Sequence, residues 1–462
     1  DGGKTWTRID NGLPTEGRTG THVHVIREDP KQKGLLFAGT ETTVYVSFDD
    51  GDHWQSLRLN LPSTSIRDMV FHTDNNMNDL VICTYGRGFW VLDDMSPLRE
   101  VAAKSQEIAA APAYLFKPGD AIRARESANW DQPMNRELPH APNPPYGALL
   151  YYHLSRKPAG EIKLQIFDST NKLVRTITST QPAMYPRPPY PDYWLMPSSE
   201  RALSTEVGTN RINWDLRYDD PPGFNPDINN QMNPSNGTVT PAPHGPLALP
   251  GTYTVKLIVD GQTYTQTLVV HNDPRLGESA ATMATLRAQN KLAMETVQSM
   301  KDSYAANEEV AAVRAQLAAL IKTSLPTEIA TAATVLDTKL AAYGGPQRGG
   351  RGPGGGGFGF LNRPPGSLLS FTAINNLFNT VLGPLTQNGI DMSPTKAQVD
   401  TWETACNEFT ATGNGWKAML STDLVAFNTL LTNNKLTPLR LPRSAVVAPA
   451  SCKFVSPTRE RK

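Results

Sequence analysis

The 462-residue chain has little cysteine: three residues, at positions 83, 406 and 452. So few exclude a disulfide-built fold, and their spacing matches no metal-binding pattern. Net charge is also lacking, because Lys+Arg and Asp+Glu stand at 44 each. Such a chain raises no global field, so neither nucleic acid nor an anionic membrane is expected as a partner. No apolar run approaches the roughly 20 residues needed to cross a bilayer. Initiator Met and signal peptide are missing. The chain opens inside a turn motif, at Asp1-Gly2-Gly3, and is expected to be the C-terminal part of a longer protein. His271 is the last of eight His, which removes the commonest transition-metal ligand from everything beyond it. No metal and no cofactor are expected.

What is present comes in blocks. The length suffices for two to four domains, each with its own core. Pro (38) and Gly (35) are above average usage and cluster in a few places. The stretch Ser47-Phe48-Asp49-Asp50-Gly51-Asp52-His53-Trp54 combines a short carboxylate, a glycine and an aromatic ring. Asp49 can accept backbone N–H groups within its own turn, Gly51 supplies a conformation closed to other residues, and Trp54 brings a large ring to pack. Asp1-Gly2-Gly3-Lys4-Thr5-Trp6 is the second part of the same pattern. Each Trp is followed eight residues later by the Pro of a Leu-Pro pair, Pro14 and Pro62.

A longer repeat runs through residues 1–98. Leu36–Thr40 with Val44–Asp50 aligns without a gap to Leu80–Thr84 with Gly88–Asp94, an offset of 44 residues, and Val25-Ile26 falls on Met69-Val70. Short β-rich runs at that period predict four-stranded propeller blades. The first blade reads as strands at 21–28, 34–40 and 42–48, with a fourth starting at Trp54. The second has 65–71, 79–84 and 88–93, and its fourth strand is absent. Such an open edge is expected to be completed by upstream sequence.

The Ser47–Trp54 stretch resembles an Asp-box, with His53 in the usual Thr place. With the paired repeats and the run Thr84-Tyr85-Gly86-Arg87-Gly88-Phe89-Trp90-Val91-Leu92-Asp93-Asp94, the chain is similar to bacterial sortilin-like, BNR-repeat β-propeller proteins of the glycosyl-hydrolase-like group. The resemblance implies an exported protein, secreted or periplasmic. It gives Asp1, Gly3, Trp6, Ser47, Asp49, Gly51 and Trp54 structural, not catalytic, roles.

Residues 99–112 read as a linker or short helix, and 113–277 as a β-sandwich. Strands are expected at 148–153, 161–167 and 172–177, with a central strand at 211–217 carrying Ile212, Trp214 and Leu216 on one face. Asp260-Gly261 between alternating runs signals a type I′ hairpin. Gly208–Arg217 and Pro250-Gly251-Thr252-Tyr253 resemble the Ig-like or fibronectin-like module that follows such propellers. Pro-rich insertions are expected at about 181–206 and 219–249.

Helical periodicity begins at Ser279. One helix runs from Met283 to Tyr304, a second from Val310 to Leu320 and a third from Pro326 to Leu340. Ser393-Pro394 reads as the start of a fourth helix, and Trp416–Leu431 as the last. Together they predict an antiparallel bundle over 278–440, with a Gly-rich loop at 344–366 and a tail at 441–462. The expected fold is therefore multidomain, mainly β then α. Cys406 and Cys452 are left either paired or free.

Candidate chemistry is sparse, and no catalytic residue is assigned. His22, His24, Arg27, Glu28, Arg67, Asp68 and His72 lie near the inner strands. A glycosidase needs two carboxylates about 5 Å or about 6.5–9.5 Å apart, and Glu28 and Asp68 are single acids from two blades. Solvated strand ends are the expected account of all seven. Arg87, between two glycines, is a candidate for locking a neighbour or binding a ligand. Tyr190, Tyr193 and Trp194 lie in the most interface-like stretch, where rigid aromatics alternate with Pro. The reading favoured is a protein- or glycan-binding scaffold, partnered by the upstream blades and a ligand or a second copy. The alternative is a polysaccharide- or sialoside-acting glycoside hydrolase with its catalytic residues upstream.

Overall fold

The computed structural model describes residues 2–14, 22–73, 77–125, 145–180, 202–224, 227–232, 239–344, 367–386, 390–442 and 449–457. Asp1, Tyr190, Tyr193 and Trp194 lie outside these residues, as do most of the first Pro-rich insertion and residues 345–366. The chain is a mixed β/α, multidomain structure.

The first unit holds two antiparallel sheets, each strand pairing with the next in sequence. β1 (Val23–Glu28), β2 (Leu36–Thr40), β3 (Val44–Ser47) and β4 (Gln55–Ser56) form the first, and β5 (Ile66–His72), β6 (Asp79–Thr84) and β7 (Phe89–Leu92) the second. Period-2 alternation in β2 and β3 sends Phe37, Val44 and Val46 to one face, where they meet Ile66, Met69, Leu80 and Ile82 of the second sheet. The opposite face carries Leu36, Ala38 and Trp54, covered by Leu13. α1 (Ser96–Ala110) occupies most of the stretch read as a linker or short helix. Arg99 on α1 is hydrogen-bonded to both oxygens of the fully buried Asp29 carboxylate at 3.0 Å, which fixes the helix to the first unit. Its far end packs Ile108 against Tyr114 and Phe116 of the next unit.

The second unit has two sheets around one apolar core. β8 (Ala113–Leu115), β10 (Ala148–Leu154) and β13 (Gly208–Trp214) make a three-stranded sheet with β10 in the middle. The strand expected to be central, β13, is at an edge. Its alternation is nevertheless as read, since Ile212 and Trp214 are buried, and Leu216 joins them from beyond the strand end. β9 (Ala121–Arg123), β11 (Lys163–Phe167), β12 (Leu173–Thr178), β16 (Gly251–Val259) and β17 (Gln262–Asn272) form the facing sheet. Asp260 and Gly261 both have positive φ, 48° and 81°, as a type I′ turn requires. β14 (Asp227–Met232) pairs with β15 (Val239–Ala242) inside the second insertion.

The helices differ more from the sequence reading. α2 (Ala280–Ile321) is one helix of 42 residues where two were expected, capped by the Ser279 hydroxyl accepting from Thr282 N–H. α3 spans Thr327–Gly344. α4 (Phe371–Thr386) is a helix absent from the sequence reading, although Phe371, Ile374, Phe378, Val381, Leu382 and Leu385 recur at helical spacing and are buried. α5 (Lys396–Ser421) starts at a Thr395/Gln398 capping box, two residues past the expected Ser393 cap. It also absorbs Trp416 and Met419, leaving α6 at Asp423–Asn433. Cys406 and Cys452 are bridged, with Cα atoms 5.4 Å apart, which holds the segment after α6 against α5.

The helices dock on the second unit through buried charge. Arg123 and Arg125, on and just after β9, converge on Asp391, with hydrogen bonds of 2.8–2.9 Å. Arg125 also donates to Leu385 O and Arg217 to Thr386 O, so two cations sit at the C-terminus of α4, the negative end of its dipole. Phe224 stacks on Tyr304 with ring centroids 4.5 Å apart.

Candidate functional site

The two sheets of the first unit repeat a local irregularity. Val23 pairs with Thr40 and Val25 with Gly39, so His24 is an extra residue in β1. Ile66 pairs with Thr84 and Asp68 with Cys83, so Arg67 is the extra residue in β5. Such bulges bend a strand and re-aim one side chain. Here each bulged residue faces the tip of its own sheet's hairpin. His24 Nε2 pairs with Glu41 Oε2, and the Arg67 guanidinium lies 5.0 Å from the centroid of the Tyr85 ring. Glu41 and Tyr85 are themselves 44 residues apart.

The two tips are joined into one rim. Ser65 Oγ donates to Glu41 Oε2 at 3.0 Å, linking the second sheet to the first. Thr64 N–H donates to Thr42 O, and Tyr85 N–H to Ser65 O, so the backbone holds the tips in place. The His24 hydrogen bond, then that of Ser65, outweigh desolvation and, with smaller help from the charges of His24 and Arg67, lower the Glu41 carboxyl below its ordinary range. It is therefore anionic at neutral pH. Tyr85 is 71% exposed, and the Arg67 guanidinium makes no hydrogen bond to another described residue. The rim thus offers an anion, a cation and an open aromatic ring together.

The other sequence candidates fall into different places. Arg27 and Asp68 are more than solvated ends: Arg27 donates to Asp68 Oδ1 at 2.6 Å and to Met69 O at 3.0 Å, clamping β1 to β5. Glu28 accepts from Gly34 N–H in the β1–β2 turn, and no contact joins it to Asp68 among the described residues. The His22 carbonyl accepts from Glu41 N–H. His72 Nδ1 lies 3.6 Å from Asp79. Among the described residues the Arg87 guanidinium has no hydrogen-bond or ion-pair partner. The lock is in its backbone, with Arg87 N–H donating to Thr84 Oγ1 and its carbonyl accepting from Trp90 Nε1.

In the Ser47–Trp54 turn, Asp49 accepts from His53 N–H at 2.9 Å, from the His53 ring and from Ser47 Oγ, while Gly51 N–H donates to Ser47 Oγ. Gly51 has φ 94°. Trp54 is buried and donates to Ile9 O at 2.7 Å. Gly12 closes on it so tightly that a Cβ would stand 2.1 Å from Trp54 O. Trp6 does not pack as its place in the repeat suggests: it is 89% exposed and donates only to Gly3 O.

A second surface belongs to the β5–β7 sheet. Its outer face aligns Val70, Val81 and Val91 across three strands, with Cys83 beside Phe89. Val70 is 58% exposed, Val91 51% and Phe89 76%. The matching positions of the first sheet, by strand pairing, are Phe37 for Val81, Val46 for Val91 and Val44 for Phe89. All three are buried in the core between the sheets. Among the described residues no group of His, Cys, Asp and Glu can hold a metal, and no described helix is long and apolar enough to cross a membrane.

No protein-family model, curated protein or solved structure matches the chain. Its class therefore rests on its own geometry, a mixed β/α multidomain chain whose first sheets carry a charged, aromatic rim.

Proposed function

We propose that residues 1–98 are the ring-closing blades of an Asp-box, sortilin-like β-propeller in an exported protein, which binds protein or glycan and does not cleave it. The following two units are then an Ig-like sandwich and a supporting helical bundle. One observation carries the reading. The outer face of β5–β7 is uncovered, although its counterpart on the first sheet is buried against a neighbouring sheet. A repeat of this kind presents each blade with two faces to cover, and further blades would cover this one. The Cys406–Cys452 bridge fits a secreted or periplasmic site, since disulfides persist in oxidising compartments.

The binding role is favoured over hydrolysis because Glu41 is held by His24 and Ser65, and Glu28 and Asp68 are engaged apart from one another. The test is a panel of polysaccharides and peptides, with retention on the immobilised chain measured alongside release of reducing ends. Retention without release is expected. Release of reducing ends, or no retention of any member, overturns the reading.

A further inference from the structure

We propose that Arg67, Tyr85 and Glu41 form a subsite for one uronic-acid residue of an acidic polysaccharide, an inference that rests on the binding-scaffold reading. The argument starts from what each group lacks. Arg67 is oriented by the Tyr85 ring, 5.0 Å away, and its fork of N–H donors is unused by other described residues. A guanidinium placed in this way can meet a planar carboxylate with two parallel hydrogen bonds. Glu41 has Oε2 taken by His24 and Ser65, while Oε1 has no described partner. A carboxylate oxygen accepts only, so what it adds is a donor, such as a sugar hydroxyl.

The ligand must therefore carry an anion and neutral donors side by side. A uronate does, with a carboxylate on C5 and hydroxyls around the ring. An acidic peptide also brings a carboxylate to Arg67, but its neutral donors are single backbone N–H groups, spaced along the chain, in place of the adjacent ring hydroxyls that a sugar turns toward Glu41. A neutral glycan leaves Arg67 unmatched. The exposed Tyr85 ring adds apolar contact for the C–H face of a sugar. The repeat itself made the subsite. Both sheets place a bulged residue against a hairpin tip, but one pair is His–Glu and the other Arg–Tyr. Ser65 joins the two.

The experiment is calorimetric titration of the full chain at low salt with trigalacturonate, galactotriose and a short poly-glutamate peptide. Trigalacturonate should bind and the other two should not, and its affinity should weaken as salt is raised. Arg67→Gln should reduce that affinity by about tenfold or more, the worth of a charged hydrogen-bonded pair. Glu41→Gln should also reduce it, and Arg156→Gln, on an exposed side chain of the second unit, should not. All three sites are on the surface, so unchanged thermal midpoints confirm folded variants. Equal affinity in Arg67→Gln, or equal binding of poly-glutamate or galactotriose, overturns the subsite. If trigalacturonate fails while other panel members are retained, the subsite is wrong and the scaffold reading stands. If trigalacturonate binds and is cleaved, the subsite stands and the scaffold reading falls.

Discussion

Trp6 and Trp54 occupy the same place in two copies of one turn pattern and have opposite fates. Trp54 is buried, with its indole N–H bonded to Ile9 O and its backbone N–H to Asn11 O. Trp6 is exposed because the segment that follows it is the cover for Trp54, and nothing comparable covers Trp6 among the described residues. The difference is energetic and measurable. Trp54→Ala should cost about 3–5 kcal/mol, the usual loss for an aromatic removed from a core. Asp49→Ala should cost about 1 kcal/mol, because the turn acceptors are half-exposed and water replaces part of what is lost. Trp6→Ala should stay within about 0.5 kcal/mol. Urea denaturation of the three variants decides the matter, and a large loss for Trp6→Ala would show that its ring is packed after all.

At the scale of elements, the joint between sheets and helices is built on buried charge. Asp391 is buried between Arg123 and Arg125, with Arg217 nearby. Burial pushes its carboxyl up, but the hydrogen bond and charge of Arg123, then Arg125, outweigh it and lower the pKa below the ordinary range. The folded pKa is thus below the unfolded value of about 4. Its contribution is present above that value and is lost as pH falls through the lower folded pKa. Asp391→Ala should cost about 3–5 kcal/mol at neutral pH by leaving two buried guanidiniums unpaired. It should also flatten the acid limb of stability below about pH 4, which a series of urea midpoints against pH would record. An unchanged acid limb would place the acid sensitivity elsewhere.

The same elements mark where the sequence could be read. The 44-residue repeat, the Asp260-Gly261 turn and the Ser279 cap are local signals, and each has its counterpart in the structure. That α2 is one helix where periodicity suggests two has a tertiary reason. Ser303 and Asn307 interrupt the apolar stripe, yet both are buried, because Asn375 and Thr372 of α4 bond to them. That contact is tertiary, and no periodicity contains it. α4 is legible: Phe371, Ile374, Phe378, Val381, Leu382 and Leu385 make a helical stripe, and packing of that stripe offsets the low propensity of its Asn, Thr, Gly and Pro. The edge position of β13 likewise depends on which strands pair. Of the rim, the 44-residue relation of Glu41 and Tyr85 is visible in the sequence, but the bulges that turn His24 and Arg67 toward them are not.

For the whole molecule, the uncovered face of β5–β7 sets the expectation. Val70, Val81 and Val91 form a continuous apolar row, with Phe89 beside it, and exposed patches of this kind mark contact surfaces. If further blades are the natural cover, the chain alone should show the patch to solvent. It should then bind the dye ANS and sediment with a weight that grows with concentration. Phe89→Lys and Val91→Lys should each lower dye binding and self-association together. Neither should move the unfolding free energy by more than about 0.5 kcal/mol, because both side chains are already exposed. A loss of about 2 kcal/mol or more in either variant would mean that the face is covered within this chain. The propeller reading would then lose the observation it stands on, whatever ligand the rim binds.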